Sequence, residues 1–314
     1  MAQQTQTSNR MNGISPSQRH RGWMPEWLRH ILGRAPLHLT IFILAFIWLI
    51  PTIGLLITSF RDPAAASTTG WWTVLANPFG VEFTLENYRR TLFENGMFLA
   101  FINSFIITVP ATLIPLFAAI LASYALSWMD FRGRFVITLA IVGLIVVPLQ
   151  MTFIPLLQTF NNLGIQPGNG KIFGYMRLWI AHAGYGLPLL VYMSRNFVAA
   201  LPRELFESAY IDGASHWTAF TKLVIPLSVP VIASLSIFQF LWVWNDLIVA
   251  LIYLGGGSDT APVTLVIQQL TGSHGQDWQL LTSAAFVSMV IPLAVFFALQ
   301  RYFVRGILAG SLKG

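Results

Sequence analysis

Six long apolar stretches alternate with polar segments along this chain. Each stretch is close to or above the ~20 residues that a helix needs to cross a bilayer. The six are Leu37–Phe60, Met97–Trp128, Phe135–Leu157, Phe173–Met193, Leu223–Trp244 and Leu281–Phe303. The pattern therefore predicts an all-α integral membrane protein with six transmembrane helices.

The composition agrees with a membrane protein. Of the 314 residues, 55% are hydrophobic and 10% are charged, against roughly 25% charged in an average soluble protein. The mean hydropathy is +0.65. The sequence contains no cysteine, which excludes disulfides and thiolate metal sites. A net charge of +6 is better explained by basic residues flanking membrane spans than by a nucleic-acid surface.

The distribution of lysine and arginine predicts the orientation. If the spans alternate in direction, thirteen basic residues fall on the side of both termini and five on the opposite side. Basic residues accumulate on the cytoplasmic side of membrane proteins. We therefore expect both termini in the cytoplasm. Arg177 and Arg195, near the two ends of the fourth stretch, are expected to extend their charged groups to opposite membrane interfaces.

The domain organisation follows from the same pattern. Residues 1–36 are polar, without an apolar period until Trp23, and predict a partly disordered cytoplasmic tail with a short interfacial helix near its end. Residues 37–314 are expected to form one six-helix domain. The loop from Gly255 through Trp278 begins with Gly255–Gly257 and is predicted to be flexible, a candidate contact for a molecule outside the membrane.

The polar segment between the fourth and fifth stretches, Leu201–Leu227, has the pattern of two helices and a turn. Glu204–Ile211 permits a helix, Asp212-Gly213 predicts a tight turn, and a helical pattern resumes at Ala214. Trp217, Phe220, Val224 and Leu227 recur at three- and four-residue steps and predict an apolar stripe. Periodicity alone is equally typical of an amphipathic loop on a membrane surface.

The residues of this segment resemble a family motif. Glu207-Ser208-Ala209, Asp212-Gly213-Ala214 and Pro226 are similar to the EAA motif of binding-protein-dependent ABC importer permeases, E-A-A-x-x-D-G-A followed by I-x-L-P. The sequence departs from the motif at Ser208 and in Leu223-Val224-Ile225-Pro226. The resemblance implies a cytoplasmic coupling helix, between helices four and five, that docks into a cleft of an ATPase subunit.

Further segments resemble the smaller permease of maltose- and α-glucoside-type importers. They are FTLENYRRTL, Ser123-Tyr124-Ala125, Trp244-Asn245-Asp246 and the terminal GILAGSLKG. The resemblance implies that Gly310, Lys313 and Gly314 reach between two ATPase subunits. It also implies a second permease subunit, two ATPase subunits that bind ATP and magnesium, and an extracytoplasmic sugar-binding protein. The expected location is a bacterial or archaeal plasma membrane.

Polar and aromatic residues within the spans are candidates for the substrate pathway, because polar groups in a bilayer are costly. Amides, phenols and indoles can meet sugar hydroxyls or pyranose faces; equally, they can form interhelical hydrogen bonds or an interfacial aromatic belt. The candidates are Asn103, Gln150, Tyr185, Gln239, Trp244 and Asn245.

Catalysis by this chain is not predicted. The sequence has no phosphate-binding loop of the G-x-x-x-x-G-K-[ST] type and no metal-ligand spacing among its six histidines. We therefore expect no enzyme activity and no cofactor in the chain itself, with ATP hydrolysed by partner subunits. The expected substrate is an oligosaccharide such as maltose, trehalose or another α-glucoside. The alternatives are another solute such as glycerol phosphate, or an ATP-independent secondary transporter, which would need acidic residues inside the spans.

Overall fold

The computed structural model describes residues 26–255, 258–273 and 277–311. Within these ranges the secondary structure is helical, apart from one isolated bridge between Arg61 and Phe83, which confirms the all-α prediction for the described residues. The α-helices, numbered α1 to α14 in chain order, are Glu26–Ser59, Pro63–Thr68, Thr73–Ala76, Glu86–Arg89, Met97–Trp128, Arg134–Ile145, Phe153–Asn162, Lys171–Val198, Arg203–Ile211, His216–Ala219, Ile225–Trp244, Ile248–Leu254, Val263–Ser273 and Trp278–Ser311.

Helix α1 is continuous from Glu26 to Ser59, with Pro36 and Pro51 inside it. The expected boundary between a tail and the first span, at residues 36 and 37, therefore falls within one helix, and the interfacial position of residues 26–36 stays a prediction. The disorder expected for residues 1–25 concerns residues outside the described part of the chain. The chain divides into two compact units, residues 1–53 and 54–314.

Four helical segments are long and apolar enough to cross a membrane. They are Ala35–Ser59, Met97–Trp128, His216–Trp244 and Trp278–Gln300. Helix α8 covers the fourth predicted stretch with 28 residues, about 42 Å of helix, but it is less apolar than these four. The described residues thus contain four or five candidate spans by length and composition, and the count of six stays a prediction.

The third predicted stretch is not one straight helix. Helix α6 ends at Ile145, and a 3₁₀ turn covers Leu149–Thr152. The helical segment before this break and the one after it are bent by 99° relative to each other. Pro148 lies at the break with ψ of 128°. Proline removes a helical hydrogen bond and biases the preceding residue away from the α conformation, so the apolar stretch forms a broken element.

The core of residues 54–314 is built around α5 and α8. Ala111 of α5 and Ala181 of α8 are fully buried, together with Ile107 and Leu178. Small residues at helix contacts let the two backbones approach closely, which is how helices pack in a bilayer. Helix α11 packs against α5 and α14, so the predicted pathway residues of α5, α8 and α11 belong to neighbouring helices.

The segment from Gly255 to Trp278 is folded, not a flexible loop, in its described residues. It contains α13, whose Val263 and Leu265 are buried. Asn103 of α5 donates from Nδ2 to the carbonyl of Ala261, at 3.0 Å. The prediction of flexibility missed this because the segment packs against α5, which is more than 150 residues away in sequence. Residues 256 and 257 of the glycine run lie outside the described residues.

Arg177 is buried, which contradicts the expected extension to the interface. Its guanidinium donates to the carbonyl of Ile165, to the carbonyl of Tyr253 at 3.0 Å and to Oδ1 of Asn161 at 2.5 Å. All three acceptors are neutral. The planar guanidinium of arginine, with its five N–H donors, suits acceptors that lie in different directions. Its hydrogen bonds connect α8 to α12 and to residues 161–165 at the end of α7 and after it.

Candidate functional site

The segment between α8 and α11 forms the predicted pair of helices with a tight turn. Helix α9 ends at Ile211 and α10 begins at His216. The N–H of Ala214 donates to the carbonyl of Ala209 at 2.9 Å, and that of Gly213 donates to Tyr210 at 3.1 Å. These two bonds form a Schellman motif, which requires a left-handed residue at its centre. Gly213 supplies it with φ of +79°.

The motif residues face outward around this turn. We call residues Arg203–Ala219 the coupling loop, after the coupling helix that the sequence resemblance predicts. Glu207, Ser208, Asp212 and Gly213 are exposed, while Ala209 and Ala214 are half-buried. Ile211 at the tip has 86% of its surface exposed. A rigid turn with an exposed apolar tip and an exposed carboxylate has the form of a knob that can enter a groove on another protein.

Glu207 forms an ion pair within the loop. Nε of Arg203 donates to Oε1 of Glu207 at 2.9 Å, and both side chains are largely exposed. Exposed pairs of this kind contribute little to folding, typically below ~1 kcal/mol. The carboxylate is therefore oriented by Arg203 and still accessible to a basic group on a partner.

The second half of the loop is continuous with α11. A π-helical turn, Phe220–Val224, joins α10 to α11, so that a single helical segment runs from His216 to Trp244. Pro226 lies at the start of α11 and is exposed. Proline has no N–H for the helical ladder, and a wider π turn before it accommodates the missing bond. The backbone of α10 is thereby continuous with that of α11.

The apolar stripe of α10 and α11 is divided between two environments. Phe220 and Val224 are buried, whereas Trp217 is 62% and Leu227 40% exposed. The predicted stripe is therefore buried only in its middle, at Phe220 and Val224. The π turn changes the angular step along the helix, so residues at regular spacing do not stay on one side.

Two aromatic side chains at the end of α5 contact the coupling loop. Trp128 stacks on Phe206 of α9, with ring centroids 3.7 Å apart and planes inclined by 18°, and donates from Nε1 to the carbonyl of Val198 at 3.0 Å. Tyr124 is buried beside Phe220. Sequence reasoning noted Ser123-Tyr124-Ala125 as a resemblance but missed these contacts. The detectable signal was a pair of aromatic residues four positions apart at the polar end of a span.

The six pathway candidates occupy different environments. Asn103 and Trp244 are buried and use their side chains within the fold: Asn103 accepts at Oδ1 from Tyr175, and Trp244 donates from Nε1 to Ser288. These contacts favour the interhelical alternative for both residues. Gln150 and Asn245 are exposed, and Asn245 donates to the carbonyl of Leu241 at 2.8 Å.

Tyr185 and Gln239 line an open cavity of about 530 Å³ between α6, α8 and α11. Nε2 of Gln239 donates to the carbonyl of Ala111 at 3.2 Å, and the hydroxyl of Tyr185 is 2.7 Å from that of Tyr253. Trp242 also borders the cavity, whose remaining lining is mainly aliphatic. No charged side chain of the described residues lines it. Of the six candidates, the structure brings these two to one cavity.

His182, a polar residue within the fourth stretch, forms a largely buried pair with Asp246 that the sequence did not predict. Nε2 of His182 lies 3.8 Å from Oδ2 of Asp246, which accepts from the N–H of Ala250 at 3.2 Å. The pair connects α8 to the start of α12. Within the described residues no group of three or more histidines and acids is placed to hold a metal ion. Of the tail residues, Gly310 lies at the end of α14, whereas Lys313 and Gly314 are outside the described residues.

Comparison with known proteins gives a family match and named relatives. Residues 96–309 match the family described as "Binding-protein-dependent transport system inner membrane component". The osmoprotective compounds uptake permease protein GgtD of Synechocystis sp. is 53% identical over 281 residues, which cover 89% of this chain and 92% of the relative. The alpha-glucoside transport system permease protein AglG of Rhizobium meliloti is 39% identical, covering 90% of this chain and 98% of the relative.

A third relative and a solved structure extend the comparison. The trehalose/maltose transport system permease protein MalG of Thermococcus litoralis is 33% identical, covering 90% of this chain and 98% of the relative. A chain in the crystal structure of a bacterial ABC transporter for import of the acidic polysaccharide alginate superimposes with a TM-score of 0.69 at 20% identity, covering 89% of this chain and 99% of that chain. At that identity the superposition supports the fold.

Proposed function

We propose that this chain, which belongs to the family of binding-protein-dependent transport system inner membrane components, is the permease subunit of an ABC importer for an oligosaccharide. The observation that carries the proposal is the coupling loop, because its motif residues form an exposed, rigid turn directly continuous with α11. In this assignment an ATPase subunit binds the loop, and closure of the ATPase around ATP moves the helices attached to it.

The proposed substrate is an α-glucoside such as maltose or trehalose. The relatives carry names that refer to osmoprotective compounds, alpha-glucosides and trehalose/maltose. The cavity beside Tyr185 and Gln239 offers a phenol, an amide and the indole of Trp242 to a polyhydroxylated solute. Glycerol phosphate fits this cavity less well, because its charge calls for a cation that the described lining does not contain.

The proposal includes an assembly and a topology. Six spans with both termini in the cytoplasm place the coupling loop where an ATPase can reach it. The partners are a second permease subunit, two ATPase subunits holding ATP and magnesium, and an extracytoplasmic sugar-binding protein, in a bacterial or archaeal plasma membrane. The contact of Gly310, Lys313 and Gly314 with the ATPase subunits belongs to the same proposal.

The test is ATP hydrolysis by the complex that co-purifies with the tagged chain in mild detergent. Maltose or trehalose, each with the binding protein, is expected to stimulate vanadate-sensitive hydrolysis, and proteoliposomes of the same complex are expected to accumulate the sugar. Uptake into proteoliposomes that contain this chain without any ATPase would contradict the proposal. It would support the secondary-transporter alternative instead.

A further inference from the structure

The hydroxyl of Tyr124 lies where the two halves of the coupling loop meet. It is 3.1 Å from the hydroxyl of Tyr210 on α9 and 3.0 Å from Nδ1 of His216 on α10. Tyr210 and His216 are themselves 3.2 Å apart. The three groups form a closed triangle of hydrogen-bond distances, and Gly213, the left-handed residue of the turn, lies between Tyr210 and His216 in sequence.

The triangle satisfies all three groups. A neutral imidazole protonated at Nε2 accepts at Nδ1 from one phenol, and the second phenol donates to the oxygen of the first. Tyr124 is buried, while Tyr210 and His216 are exposed. The buried member of the triangle, Tyr124, therefore belongs to α5, and the two exposed members belong to the coupling loop.

A second contact on the same face of α5 reinforces the first. Trp128 follows Tyr124 by four residues, so both side chains project from one side of the helix. Trp128 stacks on Phe206 of α9 and donates to Val198 at the end of α8. The end of α5 is thus attached to the end of α8 and to both α9 and α10.

We propose that Tyr124 is a positioning residue that makes the coupling loop and α5 move as one body, an inference that rests on the proposed function. Helices α8 and α11 are joined to the loop through the backbone, whereas α5 is joined to it through these side chains. With the triangle intact, displacement of the loop by an ATPase is transmitted to α5 as well. Without it, α9 and α10 can pivot at Gly213, and part of the displacement is lost.

The test is the number of solute molecules imported per ATP hydrolysed by the assembled complex in proteoliposomes, with maltose and trehalose as probes. Tyr124→Phe keeps the ring against Phe220 and removes the hydroxyl. We expect it to lower this ratio about fivefold, the scale of one net hydrogen bond, while ATP hydrolysis persists. Tyr88→Phe is the matched control, because it removes a hydroxyl that is 2.7 Å from Ser59 in the predicted outer region. We expect the control to leave the ratio unchanged.

Substitutions of His216 test the same geometry on an exposed residue, where folding is less affected. The amide of asparagine lies as many bonds from Cβ as Nδ1, and that of glutamine reaches the position of Nε2. We expect His216→Asn to keep the import ratio and His216→Gln to lower it as Tyr124→Phe does. A purely structural role would not distinguish the two variants.

Hydrogen exchange of the complex gives a readout that needs no solute. We expect Tyr124→Phe to speed exchange of the amides of α9 and α10 in the nucleotide-free state. An unchanged import ratio and unchanged exchange in Tyr124→Phe would overturn the inference, as would equal behaviour of His216→Asn and His216→Gln. If the unsubstituted complex itself shows no ATP-dependent uptake of any candidate sugar, the proposed function fails, and unaltered exchange in Tyr124→Phe then overturns the inference separately.

Discussion

The ion pair of Glu207 with Arg203 allows two roles of the carboxylate to be separated. We expect Glu207→Ala to uncouple ATP hydrolysis from uptake while the protein remains inserted, because the pair is exposed and its loss changes stability by less than ~1 kcal/mol. Arg203→Ala breaks the same pair and leaves the carboxylate available to a partner. Uptake and hydrolysis in membranes containing either variant are the measurements, and equal uncoupling by both would assign Glu207 a role within the loop alone.

The left-handed conformation of Gly213 gives a second prediction. An added Cβ meets no atom within 4 Å, so Gly213→Ala pays a conformational cost of roughly 1–2 kcal/mol without a clash. We expect uptake to fall by at most ~5–30-fold, the factor that this cost corresponds to. Gly213→Pro is incompatible with the positive φ and removes the N–H bonded to Tyr210; we expect it to abolish coupled uptake.

Gly133 provides the control for this prediction. Its φ is +90° and an added Cβ also meets nothing within 4 Å, but it lies between α5 and α6, outside the coupling loop. We expect Gly133→Ala to carry the same strain and to retain coupled uptake. Loss of uptake in both alanine variants would point to general destabilisation.

Substitution of Arg177 is expected to lower the stability of the protein rather than its transport activity. Arg177→Met removes the donor of three hydrogen bonds, one of them to the carbonyl of the buried Tyr253, and we expect it to destabilise the protein by about 2–3 kcal/mol. Arg177→Lys, with a single ammonium in place of the fork, is expected to be intermediate. The measurement is the apparent melting temperature in detergent. Arg89→Met, at an exposed arginine paired with Glu86 and Glu94, should leave it nearly unchanged.

The sequence was informative at Gly213 and misleading at Arg177 for physical reasons. A tight turn needs a residue that tolerates positive φ, and this requirement is local, so Asp212-Gly213 predicted the turn. The partners of Arg177 are carbonyls at residues 165 and 253 and an amide at 161. Only the packed fold brings them together, and a sequence pattern contains no sign of that.

Among the elements, α8 and α11 cross closely at Gly186. An added Cβ there would lie 2.7 Å from Nε2 of Gln239 and closer still to its Oε1. We expect Gly186→Ala to displace this amide from its acceptors and to destabilise the protein by about 1–3 kcal/mol. Gly184, two residues earlier on α8, has nothing within 4 Å of an added Cβ, so Gly184→Ala should melt as the unsubstituted protein does. Similar melting temperatures for the two variants would mean that α8 and α11 are not closely packed at Gly186.

The elements were predicted better than their breaks. The ends of α5 agree with the apolar stretch Met97–Trp128, because a continuous apolar run with good helix formers has one simple solution in a bilayer. Pro148 lay within another such run, yet Pro110 and Pro115 do not break α5. Whether a proline ends or is tolerated in a helix depends on neighbours that can satisfy the freed carbonyl, which the pattern does not specify.

At the scale of the whole molecule, the absence of cysteine makes the predicted topology directly testable. Six spans with cytoplasmic termini place Ser208 inside and Phe79, which is fully exposed, outside. We expect a single cysteine in Phe79→Cys to react with an impermeant maleimide in intact cells. Ser208→Cys should react after the membrane is permeabilised. Labelling of Ser208→Cys in intact cells would refute the orientation.

The whole-molecule features that could be predicted are those set by solvation. Hydropathy and basic residues sufficed for membrane insertion, for an all-α fold and for an orientation to test. The packing of α13 and the turn before it against α5 could not be predicted, because Asn103 and Ser104 meet the backbone of residues 259–263 across more than 150 positions of sequence. Contacts between residues so far apart in sequence produce no periodic pattern in either segment.

The unbroken helical segment from His216 to Trp244 has a mechanical consequence. Its 29 residues span about 43 Å, so a tilt of ~10° about the coupling loop would carry Trp244 through an arc of ~7 Å. A small rotation at one end of the segment therefore becomes a displacement of several ångströms at the other end. The stiffness of the π turn at Phe220–Val224 then determines how much of that displacement reaches Trp244.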